Sequence, residues 1–444
     1  MKNNYLKNKH NRGAAMLVAI VFFTVATMII ILGIVSPVLK QATVSKNIIL
    51  SKNSYYSAEA SMEDVLYRLK SGKQVSATET LSLNNSTINT IVTKTATGKQ
   101  VTSTGSVYNV VRKVQSNVVL GTGISFHYGV QSGQGGFVLQ NSSSIIGNVF
   151  SGGSITGSGN NVYGDVVSAG PSGLIDGVHA TGTVYAHNIT KSSSNPTIID
   201  KNAYYVNKDA AVTVNGTSYP GSPDQPIVPL PISDDQIDQW ENDASAGGVM
   251  LSSECDSYNS SSNTCTISNS KSMGPKKIPF NLLIKSSSAI FTVTGPLWVT
   301  GNITTQTGPT IKIASALGSN NVAIIADNPA DRTGSSIITV EQSSVFQGSG
   351  SPGSFVFLVS QNNSSETGGF TDAISMNQGV SALVVYASHG QITLSQSVNV
   401  KEVTAYKIIL TQSASVTYDT GLPSTLFSSG PAGGYDISSW IEIQ

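Results

Sequence analysis

The sequence predicts a mainly β protein in which a single-span N-terminal α-helix precedes a parallel β-solenoid-like body with a flanking insertion. Three observations lead to this fold class. Residues 14–39 carry no charged side chain. Short strand-like motifs recur along the body at intervals of about 16 to 18 residues. A proline-rich stretch, "YPGSPDQPIVPLPIS" at residues 219–233, interrupts these repeats.

The uncharged N-terminal run is longer than the roughly 20 residues that a helix needs to cross the hydrocarbon core of a membrane. Its basic leader contains Lys2, Lys7, Lys9 and Arg12, which favours a cytoplasmic N-terminus. A cleaved secretory signal has its small-residue junction after the apolar region. Here Gly13 and Ala14 precede that region, so a cut between them removes only the leader.

The helix is expected to continue beyond the membrane as an amphipathic helix. Met62, Val65, Leu66 and Leu69 recur at the spacing of one helical face, with charged residues between them. The tripeptide "SGK" at residues 71–73 is the expected end of this helix.

The end of this helix reads "YYSAEASMEDVLYRL". With the small-residue junction and the apolar run of residues 17–39, it resembles the type IV prepilin-like proteins, especially the minor pilins. The residues that carry the resemblance are Gly13, Ala14, Tyr56, Ala58, Glu59, Ala60 and Glu63. The resemblance covers roughly the first seventy residues. It implies that a prepilin peptidase cuts after Gly13 and that the freed helix packs with other pilin-like subunits in a filament.

One position departs from the family pattern. Most major pilins carry a glutamate at the fifth mature position, and this sequence has Val18 there. In that family the carboxylate is thought to pair with the N-terminal amine of a neighbouring subunit. An unpaired charge in hydrocarbon is costly, so Val18 should ease extraction from the membrane and weaken registration in a filament. The resemblance therefore implies a minor or tip subunit. An uncleaved single-span anchor is the alternative.

The body shows two series of repeats. One contains "GNVFS", "GDVVS" and "GTVYA", which begin at Gly147, Gly164 and Gly182, and the other contains "ITLSQSVNV" and "IILTQSASV". Each coil of a solenoid supplies short strands whose alternate residues face a shared core. We therefore expect four inward residues in the second series, namely Ile392, Leu394, Ile408 and Leu410. A β-sandwich is the alternative fold.

Composition shifts suggest the following organisation: leader 1–13, transmembrane and amphipathic helix 14–70, small β linker domain 71–132, first solenoid segment 133–202, insertion 203–285, second solenoid segment 286–430 and C-terminal tail 431–444. In the insertion, Ser233 and Gln236 have the spacing of a capping box and Ile232 and Ile237 that of a hydrophobic staple, which predicts a short helix.

The two cysteines of the chain, Cys255 and Cys265, lie in this insertion. No histidine or further cysteine is near enough in sequence to complete a metal site. The preferred interpretation is a disulfide that closes a small loop. Two free buried thiols in a reducing compartment are the alternative.

The sequence gives few signs of chemistry. The formal net charge is +0, so there is no electrostatic reason to expect nucleic acid. Charged residues make up 11% of the chain, against about 25% in typical soluble domains. No cofactor or metal site is expected, because His10, His127, His179, His187 and His389 form no helical metal pair.

The expected function is therefore structural and non-enzymatic: a minor or tip subunit of a type IV pilus-like or pseudopilus assembly that exposes its solenoid for adhesion or subunit contact. Its expected partners are the cytoplasmic membrane, a prepilin peptidase, other pilin-like subunits and a surface or glycan ligand. It should sit in the cytoplasmic membrane with its body outside and reach the cell surface or pilus after assembly.

Two alternatives remain. One is a membrane-anchored surface adhesin or envelope protein outside any filament. The other is a polysaccharide lyase or hydrolase, since parallel β-helices often carry carboxylates along one face. Asp327, Asp331 and Arg332 in "ADNPADRTG" are its best candidate acid, base or metal ligands.

Overall fold

The computed structural model describes residues 12–70, 75–83, 86–95, 98–120, 128–192, 195–341, 343–380, 383–419 and 435–443. The chain divides into two compact units. The first unit comprises residues 1–67, 75–118 and 437–444, and the second comprises residues 68–74 and 119–436.

One long helix begins the described chain, and four strands follow it. The helix is α1 (Arg12–Lys70), and the strands are β1 (Thr78–Leu83), β2 (Ser86–Thr95), β3 (Gly98–Val107) and β4 (Val110–Leu120). A first run of short strands comprises β5 (Val130–Leu139), β6 (Ser144–Ile146), β7 (Val149–Ser151), β8 (Ile155–Tyr163), β9 (Val166–Ser168), β10 (Leu174–Ala180), β11 (Val184–Thr190), β12 (Ile198–Ile199), β13 (Ala203–Lys208), β14 (Thr213–Val214) and β15 (Ser218–Pro220).

The second helix, α2 (Asp234–Ala246), separates this run from the next. The second run comprises β16 (Ser257–Asn259), β17 (Thr264–Ile267), β18 (Lys271–Met273), β19 (Lys276–Ile278), β20 (Asn281–Lys285), β21 (Ile290–Val293), β22 (Leu297–Val299), β23 (Ile303–Gln306), β24 (Thr310–Ile313), β25 (Val322–Ala326), β26 (Ile338–Val340), β27 (Val345–Gln347), β28 (Val356–Ser360), β29 (Asp372–Met376), β30 (Val384–Leu394), β31 (Asn399–Val400), β32 (Glu402–Leu410) and β33 (Ser415–Thr417). The last described strand is β34 (Tyr435–Ile443).

The first unit contains a five-stranded sheet in the order β1-β2-β3-β4-β34. β1 and β2 pair antiparallel, as do β2 and β3. Tyr108 and Asn109 join β3 to β4 and both have positive φ, 48° and 67°, as a two-residue hairpin turn of the primed type requires. Residues 121–127, near the end of the expected β linker domain, lie outside the described residues, and β34 lies in the range expected to be a tail.

The C-terminal part of α1 packs on this sheet. The predicted apolar stripe is buried, with Met62 and Val65 fully shielded from solvent. Ser61 Oγ lies 2.8 Å from Thr90 Oγ1 on β2. A Cβ atom at Gly105 would lie 2.2 Å from the Ser54 carbonyl oxygen, which is closer than any side chain permits. A glycine at this position therefore lets the helix approach β3.

The second unit is a stack of mostly parallel strands, so the predicted fold class is confirmed and a sandwich is not the fold. Ile392 pairs in register with Ile408, and Leu394 with Leu410, in parallel strands. All four side chains are fully buried in one continuous apolar core. Alternate residues of each short strand face that core, as the two-residue period of a strand dictates.

The order of the coils differs from the order of the chain. β32 pairs with β5, so that Ile408 aligns with Phe137 and Leu410 with Leu139. β33 pairs with β6 in the same sense. The end of the second run therefore lies on the start of the first run, and the two predicted solenoid segments form one stack. Strands β13–β15 and β17–β20 extend this stack into residues 203–285.

α2 lies on the outer face of the stack. The Ser233 amide donates to Gln236 Oε1 over 2.7 Å, and Ile232 and Ile237 are both buried, so the predicted helix start is present. Ile237 and Trp240 pack in an apolar cluster with residues of three neighbouring coils, namely Ala323, Ile325, Phe357, Val359, Val384 and Tyr386.

The seam between the two runs can be tested by truncating a residue that lies on it. Ile408→Ala should lower the free energy of unfolding by about 2–5 kcal/mol, because the side chain is fully buried between two coils. The adjacent Lys407→Ala is a matched control whose side chain is only partly buried, and it should change stability by less than about 0.5 kcal/mol. Denaturant unfolding measures both values, and equal tolerance would contradict the register.

Candidate functional site

The N-terminal part of α1 presents an exposed apolar surface. The helix begins at Arg12, so Gly13 and Ala14 lie in its first turn. Val18 is 66% exposed, and large apolar residues remain exposed along the helix as far as Ile49. By length and composition α1 could cross a membrane. This apolar N-terminal helix fits a pilin-like protein.

The residues of the pilin-like signature lie on different faces of α1. Ala58 is fully buried, whereas Tyr56, Ala60 and Glu63 are exposed. The Tyr55 hydroxyl lies 3.4 Å from the Glu59 carboxylate. Ala58 therefore has a packing role in the first unit, while the exposed members remain free for contacts outside it.

A groove of about 410 Å³ lies beside this signature in the first unit. It is lined by α1 and by the ends of the neighbouring strands, and the lining includes Leu50, Tyr56, Ala60, Val107 and Tyr108. Sequence reasoning did not predict this groove, because residues that lie far from the helix in sequence, such as Leu83 and Val107, complete it.

Arg112 connects three elements of the first unit. Its Nε donates to Ser51 Oγ of α1 over 2.8 Å, and its Nη1 lies 3.3 Å from Glu442 Oε1 of β34. Both charged side chains remain partly exposed, so the ion pair contributes little to stability on its own. Its effect is to position β34 beside β4.

Cys255 and Cys265 form a disulfide, with their Cα atoms 5.4 Å apart. Cys265 is buried on β17 and pairs in register with Tyr258 of β16, in an antiparallel hairpin. This hairpin is the end of the parallel stack on the side of β17. The disulfide therefore closes a turn that covers one end of the stack.

The three residues named for an enzyme separate into a pair and a single residue. Asp327 is fully buried, and Arg332 contacts both of its carboxylate oxygens, with Nε at 2.8 Å and Nη2 at 2.7 Å. Such a bidentate pair is among the strongest hydrogen-bonded arrangements in proteins. Asp331 is exposed, and its Oδ1 accepts from the Gly334 amide over 2.8 Å.

α2 adds a second carboxyl group that sequence reasoning missed. Glu241 is 6% exposed. Burial, followed by the charge of Asp327 and a hydrogen bond with it, raises the pKa of Glu241 to about 9. At neutral pH Glu241 therefore keeps its proton. A general acid and base must reach their substrate, whereas Glu241 and Asp327 are both buried.

The described histidines all contact carboxylates. His179 lies 3.1 Å from Asp200, and His187 lies 3.0 Å from Asp224. His389 contacts Asp234 of α2 at 3.0 Å through Nε2. Within the described ranges, no group of three or more His, Cys, Asp or Glu side chains is placed to hold a metal ion. His10 and His127 lie outside those ranges.

His389 makes a second contact on the other side of its ring. Its Nδ1 lies 2.6 Å from Glu366 Oε2. The hydrogen bond with Asp234 is the main cause that raises the pKa of His389 to about 9, with Glu366 adding to it. Asp234 and His389 are 155 residues apart in the chain, so no local sequence pattern could have joined them.

The sequence and the structure were compared with those of known proteins. No protein-family model matches the sequence, and no curated protein matches it. Among solved structures, the chain is similar to the competence-associated pilin ComZ from Thermus thermophilus, at 11% sequence identity and a TM-score of 0.30, over 89% of this chain and 97% of that chain. A likeness at this level carries no argument about the function of this chain.

The buried ion pair gives a prediction for stability. Asp327→Ala should lower the free energy of unfolding by about 1.5–3 kcal/mol, because it removes the two charge-assisted hydrogen bonds to Arg332, whose side chain is itself 35% exposed. Asp331→Ala removes a nearby exposed carboxylate and should cost less than about 1 kcal/mol. Chemical denaturation measures the free energy of unfolding of both variants. Similar losses would show that the contact between Asp327 and Arg332 does not stabilise the fold more than an exposed carboxylate does.

Proposed function

We propose that this chain is a type IV pilin-like structural subunit in which α1 serves first as a membrane anchor and later as an assembly helix. The observation that carries the proposal is the division of α1. Its first part is apolar and exposed on all sides, and its last part is packed on the sheet of the first unit. Such a helix needs an apolar environment for one part only, which a bilayer or a bundle of like helices supplies.

Threonine hydroxyl groups within the apolar part of α1 form hydrogen bonds with backbone carbonyl oxygens of the same helix. Thr24 Oγ1 lies 3.0 Å from the Ile20 carbonyl oxygen and Thr27 Oγ1 lies 2.8 Å from that of Phe23. Groups in hydrocarbon have no water to bind, so internal partners of this kind are required there. Pro37 lies inside the helix, and prolines are tolerated in membrane helices more readily than in soluble ones.

The second unit is proposed to lie outside the cytoplasmic membrane. The disulfide supports this placement, because disulfides persist in oxidising compartments and are rare in the cytoplasm. The basic leader supports a cytoplasmic N-terminus by the positive-inside rule. A surface rich in hydroxyl and amide groups is available for adhesion or for contact with neighbouring subunits.

Val18 supports a minor or tip position instead of a bulk position. The side chain is exposed and apolar, so it offers no carboxylate to the N-terminal amine of a neighbouring subunit. A membrane-anchored adhesin outside any filament is the second candidate, favoured by the same exposed helix. The enzyme alternative is not favoured by the position of Asp327, whose carboxylate is fully buried and held by Arg332.

Processing of the leader is the first test. Co-expression with a prepilin peptidase should remove residues 1–13 and leave a mature protein that begins at Ala14, because the small-residue junction precedes the apolar run. Intact mass spectrometry of the membrane fraction measures the loss. Gly13→Leu is the matched control and should retain the leader. An intact leader in both proteins would support the plain anchor.

The fifth mature position is the second test. Val18→Glu should raise the share of the protein in sheared filaments when pilin-like partners are co-expressed, since the new carboxylate can pair with an N-terminal amine. Val21→Glu places the same charge on the same apolar helix at an unmatched position, where an unpaired carboxylate in hydrocarbon is costly. It should lower that share. Quantitative blotting of filament and membrane fractions measures both, and equal behaviour would remove the filament proposal.

A further inference from the structure

We propose that residues 224–246, which we call the strap, are a proton-controlled latch: the contact of His389 with Asp234 and the packing of Glu241 beside Asp327 hold the strap on the outer face of the stack, and loss of a proton from His389 or Glu241 releases it. The strap joins the end of the first run of strands to the start of the second. It consists of a proline-rich segment followed by α2.

Specific hydrogen bonds hold the proline-rich segment along the stack. His187 Nδ1 of β11 lies 3.0 Å from Asp224. The Gly170 amide donates to the Gln225 carbonyl oxygen over 2.9 Å. Gln131 Nε2 of β5 donates to the Pro229 carbonyl oxygen over 3.0 Å. The segment therefore crosses successive coils from β11 back to β5 before α2 begins.

The apolar face of α2 covers part of the stack that would otherwise meet solvent. Trp240 is fully buried against a row of outward-facing side chains that includes Ile325, Val359 and Tyr386. These three residues align with one another through parallel pairing of β25, β28 and β30. Release of the strap would uncover this row, which is the kind of contiguous apolar patch that marks an interaction surface.

Charged groups from three loops or strands converge on the start of α2. Asp234 contacts His389 of β30, and His389 also contacts Glu366 of the loop after β28. The Gln361 side chain and the charge of Arg332 also act on Asp234. A protonated His389 therefore joins two carboxylates, one on the strap and one on the stack.

A second group holds the middle of α2. Glu241 lies close enough to Asp327, which is paired with Arg332, for the two carboxyl groups to act on each other. Asp238 of α2 adds a further negative charge nearby. Glu241 Oε1 is buried and has no hydrogen-bond partner among the described residues. An ionised Glu241 would therefore face Asp327 while buried from bulk solvent, which makes loss of its proton unfavourable.

Both groups make docking of the strap weaken as pH rises. When α2 is docked, the pKa of Glu241 is about 9 against an ordinary 4.5, and that of His389 is about 9 against 6.5. Docking therefore takes up about one proton at Glu241 between pH 4.5 and 9, and about one more at His389 between pH 6.5 and 9. Between pH 6.5 and 9, where both protons are involved, the equilibrium constant for docking of the strap should fall by up to about 100-fold per pH unit.

At low pH, docking of the strap should weaken as pH falls, because Asp234 becomes protonated. The hydrogen bond from His389 lowers the pKa of Asp234 below its ordinary 3.8. The contribution of Asp234 to docking is therefore present above pH 3.8 and is lost as pH falls through the lowered value. The strap should be held most firmly near pH 4 to 4.5, and from there to pH 6.5 docking should weaken about tenfold per pH unit, because only docked Glu241 keeps its proton.

The experiment is hydrogen–deuterium exchange of the full chain in detergent micelles, followed by mass spectrometry at pH 6, 7, 8 and 9. Protection of α2 amides is expressed as the ratio of intrinsic to measured exchange rate at the same pH, so that base catalysis of exchange is removed. Protection of α2 should fall steeply between pH 7 and 9, while peptides of β32 stay protected.

Three variants separate the contributions. Glu241→Gln should strengthen protection of α2 at pH 8 and reduce the slope to about tenfold per pH unit, because one of the two protons no longer takes part. His389→Gln should weaken protection at pH 6 and also reduce the slope. His179→Gln is the matched control, since His179 pairs with Asp200 in the first run and not with the strap, and it should change neither quantity.

Three results would overturn the proposal. Protection of α2 that is independent of pH would show that the strap does not respond to protons. An unchanged slope in both Glu241→Gln and His389→Gln would show that other groups cause the response. A parallel loss of protection in β32 would show that the whole stack unfolds and that no separate release takes place.

Discussion

Backbone pairing between β32 and β5 is the constraint on which the second unit depends. It aligns Val403 with Val130 and Leu410 with Leu139, and so places the end of the second run directly on the start of the first. The apolar core then continues through the seam without a break. Because β15 and β17 lie at opposite ends of the stack, the chain between them has to return along the outside. The strap is that return segment, and its position follows from the coil order.

The same seam brings together the two points where the chain enters and leaves the stack. The Val403 amide donates to the Gly129 carbonyl oxygen, and the Tyr418 amide donates to that of Ile146. Neighbouring entry and exit points are what allow one domain to be inserted into another. They are consistent with the topology of the first unit, whose sheet takes β4 from before the stack and β34 from after it.

The sequence predicts features that depend on local periodicity. Ile392 and Ile408 belong to the core because alternate strand residues share a face, and the spacing of Ser233 and Gln236 predicts α2. The coil order is not predictable in this way. Ile392, Ile408 and Phe137 occupy equivalent positions in three successive coils, so local patterns cannot say which coil lies next to which.

The candidate site is less predictable than the fold, for a related physical reason. Asp327 and Arg332 are five residues apart and stand out together in the sequence, but Glu241 does not, since it belongs to a helix that is mostly polar in sequence. Only docking on the stack buries Glu241 and raises its pKa. The pairing of Asp234 with His389 likewise exists only after α2 has found its place. Sequence shows where charges are available, and tertiary packing decides which of them become partners.

Burying the carboxyl groups of Asp327 and Glu241 costs desolvation free energy. A gain in stability does not explain why they are buried, because an apolar cluster of similar volume is often as stable as a buried ion pair. The repetitive nature of the stack suggests what they provide. Ile325, Val359 and Tyr386 form a row of similar apolar positions on successive coils, so apolar packing of Trp240 could be satisfied at more than one place along it. A displacement of α2 by one coil would separate Asp234 from His389 and leave Glu241 without Asp327. We infer that the polar pairs select one position of α2 on a surface whose apolar pattern alone does not.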